Sequence, residues 1–194
     1  MAQFFFLLFT ALSVSLDSFF CGFSLTLSAR ADKKTGGNAF HSKLLVCVMT
    51  AVTLLCALAA LLGNTLRAHE QQIALKIGGG LLLTMGVTGL IKVFCEKQSE
   101  PFLQRFAEAQ KRPTGILPLF SAGLGVGTDG AVAVFSLCVM GYGGEISATT
   151  VIACHALLTD LGGKTAFLPK DGNLPRLRIC APVVLILLAI SRLT

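Results

Sequence analysis

Residues 9–28 are Phe-Thr-Ala-Leu-Ser-Val-Ser-Leu-Asp-Ser-Phe-Phe-Cys-Gly-Phe-Ser-Leu-Thr-Leu-Ser, a largely apolar run with one carboxylate, Asp17, near its centre. About 20 consecutive apolar residues are enough for a helix to cross the hydrocarbon core of a bilayer. An acid in the middle of such a helix costs roughly 2.5–3.5 kcal/mol on insertion scales. The stretch therefore predicts a membrane-spanning helix whose acid has a function.

The same pattern occurs again in the second half of the chain. A shift of 112 residues places Asp17 on Asp129 and aligns the identical tripeptides Phe23-Ser24-Leu25 and Phe135-Ser136-Leu137. A costly residue that recurs in matching surroundings predicts the two halves of one intramembrane site. A weaker match supports the duplication: at a shift of 99 residues, five positions of 52–63 carry the residues found in 151–162.

The composition is that of an integral membrane protein. Of the 194 residues, 54% are hydrophobic and 13% are charged, whereas soluble domains have about 25% charged residues. The net charge of +6 comes from basic residues in short links between apolar runs, so topology explains it better than nucleic-acid binding does. The seven cysteines form no CxxC pair, which argues against a disulfide framework and against a zinc knuckle.

Six apolar runs predict an all-α polytopic membrane protein with six transmembrane helices, at about 4–28, 44–65, 73–94, 116–140, 146–168 and 179–193. The loops after the first, third and fifth spans hold 13 of the 16 Lys and Arg residues, which places these loops in the cytoplasm and both termini outside. A cytoplasmic connection, 96–115, then separates two three-helix repeats, 1–95 and 116–194. Because each repeat has an odd number of spans, the second is inverted, an arrangement typical of secondary transporters whose site lies near the midplane.

Polar side chains recur at three- or four-residue spacing along both Asp-bearing helices, so they share a face with the acid. One interpretation is that they line a passage; the other is that small polar residues hold the helices together. The predicted pore-lining residues are Ser13, Cys21, Ser24, Thr128 and Ser136.

Two carboxylates that face each other in a low dielectric repel, and either a divalent cation or a proton relieves the repulsion. Competition between the two ligands predicts exchange of a cation for protons. Oxygen ligands suit Mg²⁺, Ca²⁺ and Mn²⁺, and a nearby thiol or imidazole favours a transition metal. Spans 2 and 5 offer secondary ligands for the ion. Asp160 of span 5 is also placed to pair with Lys164, one helical turn further along. The predicted metal ligands are Asp17, Asp129, Cys56, His155 and Asp160.

Ser15-Leu16-Asp17-Ser18, followed by Gly22, resembles the motif of the manganese efflux pump (MntP) family, which belongs to the LysE-type group of small exporters. The second Asp-centred helix and the glycine-rich third span, Ile77 to Gly86, are similar too, so the resemblance covers nearly the whole chain. It implies a multi-pass protein of the bacterial inner membrane that exports Mn²⁺ as its substrate and needs no cofactor. The chain departs from the family pattern at Gly127-Thr128-Asp129-Gly130 and at Cys56, where the family has a glutamate.

Two alternatives remain open. Val14-Ser15-Leu16-Asp17-Ser18-Phe19 is about as similar to the YtaF-type sporulation membrane proteins, which implies the same fold with another cargo or a role outside transport. The other alternative is an intramembrane enzyme, but the sequence has no HExxH, GxSxG or paired-Asp protease motif, so we expect no enzymatic activity. The expected partners are a divalent metal ion and the lipid bilayer, without nucleic acid; a homodimer is left open.

Overall fold

The computed structural model describes residues 2–31, 37–69, 71–96, 116–166, 186 and 190. Within these residues the chain forms five helices, one at each of the first five predicted spans: α1 (Ala2–Ala31), α2 (Gly37–His69), α3 (Gln71–Glu96), α4 (Ile116–Val139) and α5 (Gly144–Thr165). The prediction of a helical protein is confirmed for this part of the chain. The predicted sixth span lies outside the described residues except for Ile186 and Ile190, and so does nearly all of the connection 96–115.

Four of the helices are long and apolar enough to cross a membrane, over Gln3–Thr26, Phe40–His69, Leu119–Val139 and Gly144–Thr165. The predicted boundaries of the second span were wrong, because α2 begins seven residues before 44 and ends four residues after 65. Hydropathy marks where a helix enters and leaves the hydrocarbon, whereas the backbone hydrogen bonds continue into the polar residues on either side. The four helices confirm a membrane protein.

The described helices pack as two parallel pairs. α1 packs mainly against α5, and α2 packs mainly against α4. In the first pair, three contacts along the helices join residues 137 positions apart, at Ser18–His155, Gly22–Thr159 and Thr26–Gly163. In the second pair, three contacts join residues 75 positions apart, at Val48–Gly123, Val52–Gly127 and Gly63–Cys138. A constant difference means that both helices of a pair run in the same direction.

Glycines allow the backbones of α1 and α5 to approach closely. A Cβ atom on Gly22 would overlap the carbonyl group of Thr159, and one on Gly162 would overlap the carbonyl group of Phe19. Small residues at a helix interface give close packing in membranes, where there is no hydrophobic driving force between helices. The pair α1–α5 is therefore fixed by residues that lack side chains.

A tight turn joins α4 to α5, as the glycines at 141, 143 and 144 predict. The N–H of Tyr142 donates to the carbonyl of Leu137 and the N–H of Gly141 donates to the carbonyl of Cys138, each at 3.0 Å. This is the Schellman pattern, with Gly141 in the left-handed conformation at φ +102°. The Tyr142 ring stacks on Phe6 of α1, with centroids 5.5 Å apart. The turn thus lies beside the start of α1.

Gly141→Ala is expected to destabilise the protein by roughly 1–2 kcal/mol, because a Cβ atom is disfavoured at positive φ. Gly143→Ala is the matched control, since Gly143 has φ −58° and a Cβ atom there would meet only Ile146, at an ordinary contact distance of 3.7 Å. Thermal unfolding of the purified protein in detergent measures both variants. Equal melting temperatures for the two variants would contradict the prediction.

Candidate functional site

Asp17 lies at a local opening in the middle of α1. The residue itself is exposed, but its four neighbours one turn away are buried: Ser13, Val14, Phe20 and Cys21. In a helix, the residues three and four positions before and after a given residue lie next to it on the same face. The exposed apolar stripe of α1 lies elsewhere, at Phe5, Phe9 and Leu12. Asp17 therefore faces a gap in a buried surface.

Asp129 occupies the corresponding place on α4. It is half-buried and borders an exposed stripe formed by Ser121, Gly125 and Thr128. The stripe lies on the side of α4 away from the α2 contacts at Gly123 and Gly127. Both carboxylates thus lie at mid-helix, away from the tightest helix contacts.

His155 lies next to both Asp motifs, between α1 and α4. Its side chain is fully buried, and Nδ1 shares a hydrogen bond with the hydroxyl of Ser18. On the other side of the ring, a Cβ atom on Gly130 would lie 2.5 Å from Nε2, so the imidazole fits only because Gly130 has no side chain. Ser18 and Gly130 directly follow Asp17 and Asp129 in the chain. The imidazole therefore brings both Asp motifs to the same depth of the bundle.

Nε2 of His155 has no hydrogen-bond partner among the described residues. Burying a polar nitrogen without a hydrogen-bond partner costs free energy. A ligand that binds its lone pair or accepts its proton would offset that cost. The prediction of His155 as a ligand stays a prediction. What the sequence did not reveal is its contact with both Asp-bearing helices.

Three of the predicted pore-lining hydroxyls bond to their own helices. Ser24 donates to the carbonyl of Cys21 at 3.1 Å, Thr128 to that of Gly125 at 2.6 Å, and Ser136 to that of Val132 at 2.7 Å. Such bonds satisfy the donor and leave the oxygen lone pairs available. Thr128 is exposed and Ser24 is half-buried, whereas Ser13, Cys21 and Ser136 are buried.

Cys56 is fully buried among apolar side chains of the core, which include Val52 and Ala59. The constant register of α2 and α4 places it level with Ala131, two residues beyond Asp129. Among the described residues, no three His, Cys, Asp or Glu side chains are grouped closely enough to hold a metal ion. The five-residue ligand set therefore stays a prediction.

Asp160 lies in a polar cluster at the end of α5. Lys164 Nζ donates to Oδ2 at 2.6 Å, which confirms the predicted pairing, and Oδ1 lies 3.0 Å from His41 Nε2. His41 is at the start of α2, 119 residues away in sequence. It has no neighbouring motif, so sequence reasoning missed it. Asp160 is about 7.5 Å along the helix axis from His155, at five residues and 1.5 Å each.

Ser18→Ala is expected to lower the free energy of unfolding by about 1–3 kcal/mol, because Nδ1 of the buried His155 loses its partner. Ser24→Ala, which removes a hydroxyl bonded within its own helix, is the matched control. Chemical or thermal denaturation in detergent checks the difference. A Ser18→Ala protein as stable as the control would show that the hydrogen bond contributes nothing.

No known protein-family model matches the chain, and neither a curated protein nor a solved structure was found to match it. The function must therefore be argued from the residues and their packing.

Proposed function

We propose that the protein is a multi-pass transporter of the bacterial inner membrane that exports a divalent metal cation in exchange for protons. Mn²⁺ is the substrate that the resemblance to the MntP family favours. The central observation is that Asp17 and Asp129, aligned by the repeat, each directly precede a residue that contacts His155. The proposal includes six spans with both termini outside, and it assigns no enzymatic activity.

The helix pairing supports two inverted repeats. If α1 corresponds to α4 and α2 to α5, the α1–α5 pair corresponds to α4–α2, and these are the two main pairs. A residue of α1 contacts the α5 residue 137 positions later. Adding 112 to the first and subtracting 99 from the second gives the equivalent residues of α4 and α2, which lie 74 positions apart, within one residue of the 75 found in the α2–α4 pair. α1 is parallel to α5, which runs antiparallel to α4 after the tight turn. Equivalent helices thus run in opposite directions, as inversion requires.

Equivalent glycines lie near equivalent phenylalanines, although their closest contacts, Cys138 for Gly63 and Phe19 for Gly162, are not equivalent positions. The shift of 99 aligns Gly63 with Gly162, and the shift of 112 aligns Phe135 with Phe23. A Cβ atom on Gly63 would lie 3.2 Å from the carbonyl oxygen of Phe135, and one on Gly162 would lie 3.0 Å from the nitrogen of Phe23. An internal duplication accounts for this correspondence, and a transport site at the interface of two such repeats is the usual arrangement.

The chemistry of the central residues supports a cation as the cargo. Two carboxylates provide the negative charge that a dehydrated divalent ion requires, and an imidazole at the same depth favours a transition metal over Mg²⁺ or Ca²⁺. A carboxylate that releases the ion can take up a proton, so the same groups serve both steps of an exchange.

The second candidate is a YtaF-type sporulation membrane protein of the same fold. Cys56 keeps it open, because a fully buried thiol stands where the MntP family has a glutamate. The protein would then carry another cargo or none, with the two acids in the same positions.

Expression in a manganese-sensitive bacterial strain that lacks its own exporter tests the proposal. We expect lower cellular manganese, measured by mass spectrometry of the elements, and growth at manganese concentrations that stop the empty-vector strain. The same cells exposed to Mg²⁺, Ca²⁺, Zn²⁺ and Co²⁺ establish the cargo, and the spore yield of a deletion strain tests the second candidate. Unchanged content of every ion, with the protein present in the membrane, would refute metal export.

A further inference from the structure

A second polar group lies at the end of the bundle that holds the start of α2 and the ends of α1 and α5. The His41 ring fits against Gly163, where a Cβ atom would lie 2.5 Å from its Nδ1 and 3.3 Å from Thr26 Oγ1. Its Nε2 contacts Asp160 Oδ1 at 3.0 Å. Three helices therefore meet around one imidazole, and in the predicted orientation this end faces the cytoplasm.

The ring lies between accessible and buried groups at this end of the bundle. His41 and Asp160 remain partly accessible, with 19% and 29% of their side chains exposed, whereas Thr26 is only 3% exposed. Thr26 Oγ1 and His41 Nδ1 have no hydrogen-bond partner within the part of the chain that is described. Both atoms would regain water if the ring moved away, so hydration favours opening and the contact with Asp160 opposes it. Such a balance between two arrangements is what a gate requires.

The opposite end of the bundle has different contacts. There Tyr142 stacks on Phe6, the amide of Asn64 lies against Gly144, and the Arg67 guanidinium is 3.6 Å from where a Cβ atom on Gly141 would lie. A cavity of about 300 Å³ also lies at that end, beside Phe4 and Tyr142. Among the described residues, the end that holds His41 has instead a polar contact between helices, His41–Asp160.

We propose that His41 and Asp160 form the cytoplasmic gate of the transport pathway, an inference that rests on the proposed function. The gate lies one to two helical turns from His155 along α5, on the cytoplasmic side. Cations would reach Asp17 and Asp129 when the His41–Asp160 contact breaks. Lys164 pairs with the second oxygen of Asp160 at 2.6 Å from within α5, so this ion pair joins no second helix.

Cys21 is a native reporter for the gate. It lies one turn from Asp17 on the same face of α1, toward the cytoplasmic end, and is only 8% exposed. In inside-out membrane vesicles that contain the full-length protein, a membrane-impermeant maleimide reaches it only from the cytoplasmic side. Mass spectrometry of the peptides then gives the alkylation rate of Cys21 apart from the other cysteines.

His41→Ala and Asp160→Ala are each expected to raise the alkylation rate of Cys21 about tenfold, since a charge-assisted hydrogen bond is lost from the closed state. Lys164→Ala is the matched control, which keeps the contact between helices, and it should change the rate less than about twofold because an exposed pair contributes little. Rates equal to wild type in both gate variants would overturn the proposal.

A cysteine pair covers the case in which the alanine variants fail to insert. In His41→Cys/Asp160→Cys a short bifunctional methanethiosulfonate bridges the two thiols, because the native side chains meet only at their tips and the Cβ atoms are too far apart for a direct disulfide. The bridge should tie α2 to α5 and suppress alkylation of Cys21 below the wild-type rate, and its reduction should raise alkylation above that rate. Equal rates in the bridged form, verified by mass spectrometry, and in the reduced form would overturn the gate. Alkylation needs no metal transport, so the gate can fail while export persists, and export can fail while alkylation responds.

Discussion

Asp17→Asn and Asp129→Asn are each expected to reduce metal export to the level of cells without the protein. The substitution keeps the size of the side chain, removes its charge and its ability to carry a proton, and replaces one acceptor oxygen with an NH₂ donor. A divalent ion in a low-dielectric site loses much of its binding energy with one of two carboxylates. Since the proposed site needs both carboxylates, both variants should be impaired.

Cellular manganese after a fixed exposure measures the loss, normalised to the amount of protein in the membrane. Glu145→Gln is the matched control, because Glu145 is an exposed acid in the first turn of α5, far from His155 along the helix. It should export like the wild type. If both Asp variants lowered cellular manganese as the wild type does, the assignment of the site would be wrong, whatever the fate of the fold.

Gly162→Ala is expected to cause the largest loss of stability among single-methyl changes, roughly 1–3 kcal/mol or more, as overpacking of a tight interface does. The added Cβ atom would overlap the carbonyl group of Phe19, and backbone atoms cannot move aside as a flexible side chain can. The pair α1–α5 would have to separate, and the bond between Ser18 and His155 would lengthen with it.

Gly80→Ala provides the comparison, because no atom lies within 4 Å of a Cβ atom placed on Gly80. Both changes replace glycine by alanine within a helix, so their difference isolates the packing at the interface. The recovery of monodisperse protein after heating in detergent gives the melting temperature of each variant. Similar melting temperatures would show that α1 and α5 are not held together at Gly162.

The two halves of the chain are equivalent by sequence at their acids but not at the residues that accompany them. His155 on α5 aligns with Cys56 on α2, and a neutral thiol takes the place of an imidazole. The proposed site is therefore chemically asymmetric although the helices around it pair symmetrically.

The sequence by itself determined the membrane class and the places of the first five helices, and it identified Asp17 and Asp129 as candidate site residues. Each of these depends on a local property: the length of an apolar run, or the cost of a charge within it. Helix ends were less accurate, as at α2, because hydropathy reports contact with lipid and not the backbone hydrogen bonds. The ion pair of Asp160 with Lys164 could also be predicted from the sequence, since it joins residues one helical turn apart.

Only the tertiary structure decided which helices pair and what His155 and His41 touch. Small residues are spread along every helix of this chain, so many close pairings are compatible with the sequence. The choice among them depends on whether opposing surfaces fit, as where Gly130 leaves room for His155 and Gly163 leaves room for His41. Such contacts join residues more than a hundred positions apart or on different helices, and no local pattern records them.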